Sequence, residues 1–109
     1  EHIRMYDSMY GTWNDVPESP AEVFKRNFYF CAIDDPSAYM QREVIGVEHI
    51  MIESDYPHAD STWPNTQQLV ADQIGWLPPA DVERITWRNA STLFRHDVPD
   101  AVQHDPDAF

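Results

Sequence analysis

The chain has one cysteine, Cys31, in 109 residues. That count excludes an intrachain disulfide and a thiolate metal cluster built within one chain, and it fits an intracellular, cytoplasmic location. Three glycines are too few for the phosphate-cradling loops of nucleotide-binding folds. Basic residues are scarce as well: seven Lys and Arg against nineteen Asp and Glu give a formal net charge of −12. Such a surface repels phosphate backbones and anionic headgroups, so neither nucleic acid nor membrane is expected as a partner. No apolar run approaches the roughly 20 residues that cross a bilayer, and no His-Glu-x-x-His or Gly-x-Ser-x-Gly motif is present. The rest of the composition is 42% hydrophobic and 13% aromatic, enough for the buried core of one small ordered domain.

Helical spacing of Ile3, Tyr6 and Tyr10 begins at the first residues with no capping residue before it, which reads as a chain starting inside an amphipathic helix, a fragment. After a loop-like stretch, Ser19-Pro20-Ala21-Glu22 offers a capping box with Pro at the first helical position, predicting a short helix to about Lys25 or Arg26. Residues 27–33 are apolar and aromatic on both faces, the pattern of a strand buried between two layers. Asp35 is placed to cap a helix that starts at Pro36 and ends at Ile45, with Gly46 as a left-handed stop. A second strand is predicted over residues 48–54. Two further helices are expected, one from Pro64 to Gly75 with Leu69, Val70 and Ile74 inward. The other runs from Ala80 to Phe94 with Val82, Ile85, Thr86, Asn89 and Leu93 on one stripe. Residues 1–95 thus form the folded segment, and residues 96–109, with Pro99, Pro106 and four Asp, an acidic irregular tail.

Strand, helix, strand is a βαβ unit. Two parallel strands with helices on one side leave the other face of an all-apolar sheet uncovered, whereas parallel sheets occur almost only with both faces shielded. The sheet is therefore incomplete on its own. Either this is part of a larger α/β protein, or another copy or a partner completes it.

The most informative segment lies after the second strand: Glu53-Ser54-Asp55-Tyr56-Pro57-His58-Ala59-Asp60-Ser61-Thr62-Trp63-Pro64. Asp55 falls at the carboxyl end of that strand, where ligands and metals collect in parallel α/β folds. This string, with Lys25-Arg26-Asn27-Phe28-Tyr29-Phe30-Cys31, Ile33-Asp34-Asp35-Pro36 and Ile85-Thr86-Trp87-Arg88-Asn89-Ala90-Ser91-Thr92-Leu93-Phe94, resembles the C-terminal part of amidohydrolase-related metal-dependent hydrolases. That family includes decarboxylases of aminocarboxymuconate semialdehyde and of resorcylate. The resemblance implies that the two strands are the seventh and eighth of a (β/α)₈ TIM barrel and that the helices after them close its outer ring. It implies a divalent metal, zinc or manganese, in the intact parent, with Asp55 as metal ligand or as the carboxylate that handles a proton. The parent would act on a small carboxylated or cyclic substrate molecule. The family's other metal ligands have no match here, so the isolated chain is expected to be inactive and to hold no metal tightly.

His58, in the same loop, is placed to orient substrate or to hydrogen-bond the Asp55 carboxylate, with a purely structural hydrogen bond as the competing role. Asp60, Ser61 and Thr62 read as helix-entry caps, and Trp63 as a packing residue. Glu53 points to the same face as Asp55 and needs a partner there. Asn89 reads as a buried amide tying down a loop backbone, and Cys31 as an inert core thiol. The competing function is a non-enzymatic acidic α/β module that completes its sheet by homo-oligomerisation or by docking on a protein partner.

Overall fold

The structure, a computed structural model, describes residues 17–103 and 105; the helix expected around Ile3, Tyr6 and Tyr10 lies outside them. Helix α1 spans Pro20–Asn27 and opens on the expected box: Ser19 Oγ accepts from the Glu22 amide at 3.3 Å while the Glu22 carboxylate accepts from the Ser19 amide at 2.8 Å. Strand β1 (Phe30–Ala32) comes next, then α2 (Pro36–Met40), α3 (Arg42–Ile45), a 3₁₀ turn (Val47–His49) and strand β2 (Ile50–Ile52). The strands are parallel, in register Phe30↔Ile50, Cys31↔Met51 and Ala32↔Ile52. Among the described residues this two-stranded sheet is the only one, and no helix is long and apolar enough to cross a membrane.

The helix expected over Pro36 to Ile45 is two helices, broken at Gln41 (φ −98°, ψ 12°). Tyr39 and Ile45 both join the core, yet six positions apart on a straight helix they would face about 120° away from each other. The break reconciles them. Gly46 ends α3 with positive φ, as expected, but its ψ of 115° lies outside the left-handed helical region. Both strands are shorter than expected. Asn27 stays helical, its side chain bonded to the Val23 carbonyl, and Val47–His49 is a turn, so only the central residues find ladder partners; Glu53 N–H to Ala32 O at 3.2 Å extends the ladder by one bond.

At the start of α2, Asp35 accepts from the Ser37 amide at 2.9 Å. Bonds from the Ser37 hydroxyl and then from its amide hold the Asp35 carboxyl below its ordinary pKa. A depressed folded-state value means stabilisation that is full above the unfolded carboxylate's pKa of about 3.9 and lost as pH falls through the folded value. Wild type should therefore exceed Asp35→Asn in urea midpoint at pH 7, and the gap should narrow progressively below about pH 4. An unchanged gap at pH 3 would contradict this.

Phe30, Ala32, Ile50 and Ile52 share one face of the sheet. There Ala32 and Ile50 are buried with Tyr39, Ile74, Leu77 and Ile85, and Ala38, Ile45, Val47, Ile52, Val70 and Val82 pack around them. The opposite face carries Cys31, Met51 and Glu53. Cys31 is exposed rather than a core thiol, although its register partner Met51 is buried on this face. Its partial burial, and then the neighbouring Glu53 carboxylate, still push the thiol's pKa up, which keeps thiolate scarce and the group unreactive.

Helix α4 (Thr66–Ile74) starts two residues later than expected, since residues 62–65 form a turn closed by Asn65 N–H to Thr62 O at 2.9 Å. Ile74 is buried, and Leu69 and Val70 are half-buried. Gln73 reaches back to Asp34 at 2.5 Å, fastening the end of β1 to α4. The last helix is continuous in three parts, α5 (Pro79–Glu83), a π-helical segment (Arg84–Arg88) and α6 (Asn89–Phe94), and ends at Arg95 in the left-handed region. Its stripe is as expected, with Ile85 and Asn89 buried and Val82, Thr86 and Leu93 half-buried. Asn89 Nδ2 donates to the carbonyls of Val47 and Ile50, each at 2.8 Å, and so pins the entry of β2. Residues 96–103 hold no helix or strand; Gln103 caps them by donating to Val98 O and Asp100.

Candidate functional site

Beyond β2 the chain turns sharply. Asp55 takes φ 56°, a left-handed backbone that Asp tolerates better than most side chains, and which costs of order 1 kcal/mol where the surroundings must impose it. Two successive turns come after it, His58 N–H to Asp55 O at 2.9 Å and Ser61 N–H to His58 O at 3.2 Å. They fold the loop back on the strand end, where the Ser54 carbonyl accepts from Ser61 Oγ at 2.7 Å and from the Thr62 amide at 3.0 Å.

The result is a convergence of three side chains. Asp55 Oδ1 lies 2.8 Å from His58 Nδ1. Asp60 joins them: one ligand atom from each of Asp55, His58 and Asp60 lies within 4.8 Å of the others. An ionised carboxylate only accepts, so the proton in the Asp55–His58 bond sits on Nδ1 and Nε2 is left as the imidazole's acceptor. With 72% of the His58 side chain and 27% of that of Asp55 exposed, this contact adds little to stability.

Two carboxylates and an imidazole are hard oxygen and borderline nitrogen donors, a set that suits zinc or manganese. Tetrahedral zinc with bonds of about 2.1 Å holds its ligand atoms roughly 3.4 Å apart, so groups spread over as much as 4.8 Å must close by more than an ångström to hold it. His58 faces Asp55 through Nδ1, already bonded to Oδ1, which leaves Asp55 Oδ2 and the Asp60 carboxylate as the oxygen donors of the group. The residues present fit a divalent metal by donor type.

The other expectations for this loop divide. Asp60 caps no helix, since α4 starts at Thr66 and has no side-chain cap at Asn65. Ser61 and Thr62 are also diverted, Ser61 to the Ser54 carbonyl and Thr62 to the Thr66 hydroxyl at 2.9 Å. Trp63 does not enter the core; it is largely exposed and its ring meets Tyr56 edge-on, with ring centres 5.4 Å apart. Glu53 is exposed, and its carboxylate has no hydrogen bond or ion pair among the described residues. Sequence reasoning missed Asp60 as a donor. The spacing Asp-x-x-His-x-Asp within one turn-rich loop was the signal for it.

These features have a counterpart among known proteins. No curated protein matches the chain, but the family model described as Amidohydrolase matches residues 5–96, most of its length. A parallel βαβ unit with an acidic, histidine-bearing loop at the carboxyl end of its second strand agrees with that match, and the chain belongs to the amidohydrolase family.

Proposed function

We propose that this chain supplies the last two βα units and closing helices of a (β/α)₈ barrel that acts as a metal-dependent hydrolase or decarboxylase on a small carboxylated or cyclic molecule. The observation that carries the reading is the Asp55 carboxylate at the end of β2, held by His58 at 2.8 Å beside Asp60. The open architecture supports it. Helices cover one face of the sheet, Cys31 and Glu53 stand exposed on the other, and a groove of about 440 Å³ lined by Cys31, Ile33, Asp34, Ala38 and Glu53 runs along β1. Family membership favours this reading over a non-enzymatic docking module.

Amidohydrolases typically use a divalent metal, which when bound polarises a substrate oxygen and acidifies a water. In this chain Asp55 offers Oδ2 as a ligand or as the acceptor of a proton, while the His58 Nδ1–H on Oδ1 fixes the carboxylate's rotation and supports its negative charge. In hydrolysis Asp55 takes the proton of the attacking water and returns it to the leaving group; in decarboxylation it delivers a proton to the carbon that loses carbon dioxide. His58, mostly exposed, can pass that proton to and from solvent.

The test is removal of metal from the intact protein, including whatever strands complete this sheet. Chelation should abolish turnover, and zinc or manganese should restore it. Turnover that survives complete chelation would end the reading.

A further inference from the structure

We infer that Ser61 is a positioning residue for the Asp55–His58 pair, an inference that rests on the function proposed above. The loop from residue 54 to residue 62 carries all three converging side chains, and one hydroxyl joins its two legs through a side chain. Ser61 Oγ donates to Ser54 O at 2.7 Å and accepts from the Trp63 amide at 3.1 Å. It thereby joins the residue before Asp55 to the return leg after Asp60. The Ser61 amide is itself bonded to His58 O, so the same residue touches the strand end, the histidine turn and the exit to α4. The Thr62 amide also reaches Ser54 O at 3.0 Å and shares the closure, but it fixes neither the Ser61 side chain nor Trp63. Without the hydroxyl, half-buried Ser54 keeps only the Thr62 amide on its carbonyl and the Trp63 amide loses its partner within the loop. Asp55 is then no longer held at φ 56° against its cost, and the carboxylate drifts from Nδ1.

His58 reports on this directly. A free neutral imidazole prefers the proton on Nε2, whereas the bond to Asp55 selects Nδ1–H, the tautomer set by whichever partner is present. The experiment reads the Nδ1–H to Nε2–H ratio of His58 by nitrogen-15 NMR of histidine-labelled protein at pH 8, without metal or substrate. Ser61→Ala should lower that ratio by about tenfold, the factor one lost hydrogen bond supplies. Ser61→Thr, which keeps the hydroxyl, should hold it at the wild-type value. Thr92→Ala removes a hydroxyl bond to Arg88 O on an exposed helix surface and serves as a control for general destabilisation. Amide exchange in α6 at wild-type rates shows that each variant is folded. An unchanged ratio in Ser61→Ala, or an equal fall in Thr92→Ala, overturns the inference. Either result leaves the chelation test untouched, so loss of the Ser61 role and loss of the proposed function are told apart.

Discussion

Under the proposed function, Asp55→Asn in the intact protein is expected to lower kcat by about 10³-fold, in the range that general acid–base groups contribute, with a much smaller change in KM. The substitution is the sharp one for this position. Asn accepts a left-handed backbone as readily as Asp does, so φ 56° survives, and its carbonyl oxygen can still accept from His58 Nδ1. The negative charge and the ability to take a proton disappear. Asp55→Ala would confound the result by adding backbone strain to the loss of chemistry. Steady-state kinetics paired with a urea midpoint within about 0.5 kcal/mol of wild type, the usual margin for a surface change, would isolate the chemical role. A kcat within a few-fold of wild type would remove Asp55 from the mechanism.

The second large effect is on stability. Asn89→Leu, close in volume, should cost about 2 kcal/mol or more, because a buried carbonyl stripped of its donor keeps its full desolvation penalty. Asn89 is 7% exposed and serves both Val47 O and Ile50 O. Val47 O keeps the Ile50 amide as a partner, so the loss falls mainly on Ile50, at the first rung of β2. Asn89→Asp should be worse at neutral pH, since a buried carboxylate facing two carbonyls has nothing to donate. Its folded-state pKa would be raised, so stability would return in part as the acid protonates and donates one bond. Urea midpoints of both variants across pH check this; a Leu variant as stable as wild type would show that the two bonds contribute nothing net.

How much of the fold was written in the chain divides along the range of the interaction. Ser19 with Pro20 and Glu22, Asp35 with Pro36, and the stop at Gly46 were legible because each is settled within four residues. So was the placement of Asn89 on the apolar stripe, a matter of period alone. The break at Gln41 was not, since nothing local forbids a helix through Met40 and Gln41. It arises because Tyr39 and Ile45 are both drawn to Ile50 and its neighbours. Cys31 looked interior by its Phe and Ala neighbours, but burial of an apolar strand requires a layer on each side, and on the face opposite the helices Met51 is buried while Cys31 is not. At the site, Asp55 and His58 could be named from the loop's position after a strand. Asp60 could not be distinguished from a cap until the turn at residues 62–65 displaced the start of α4.

The π-helical segment Arg84–Arg88 has a consequence for how this helix tolerates insertions and deletions. A π turn holds one more residue than an α turn closing the same loop, so it resets the phase between α5 and α6. Ile85 and Asn89, four apart, both stay on the sheet side, the one filling the core and the other reaching two carbonyls. Excising a single residue from this stretch would return it to α periodicity with α5 and α6 still in phase, leaving Asn89 against Val47 and Ile50, whereas the same deletion in a regular α turn would swing it through about 100°. The wide turn is in effect a one-residue slack in the helix, the place between Pro79 and Asn89 where a deletion is absorbed without moving the flanking contacts.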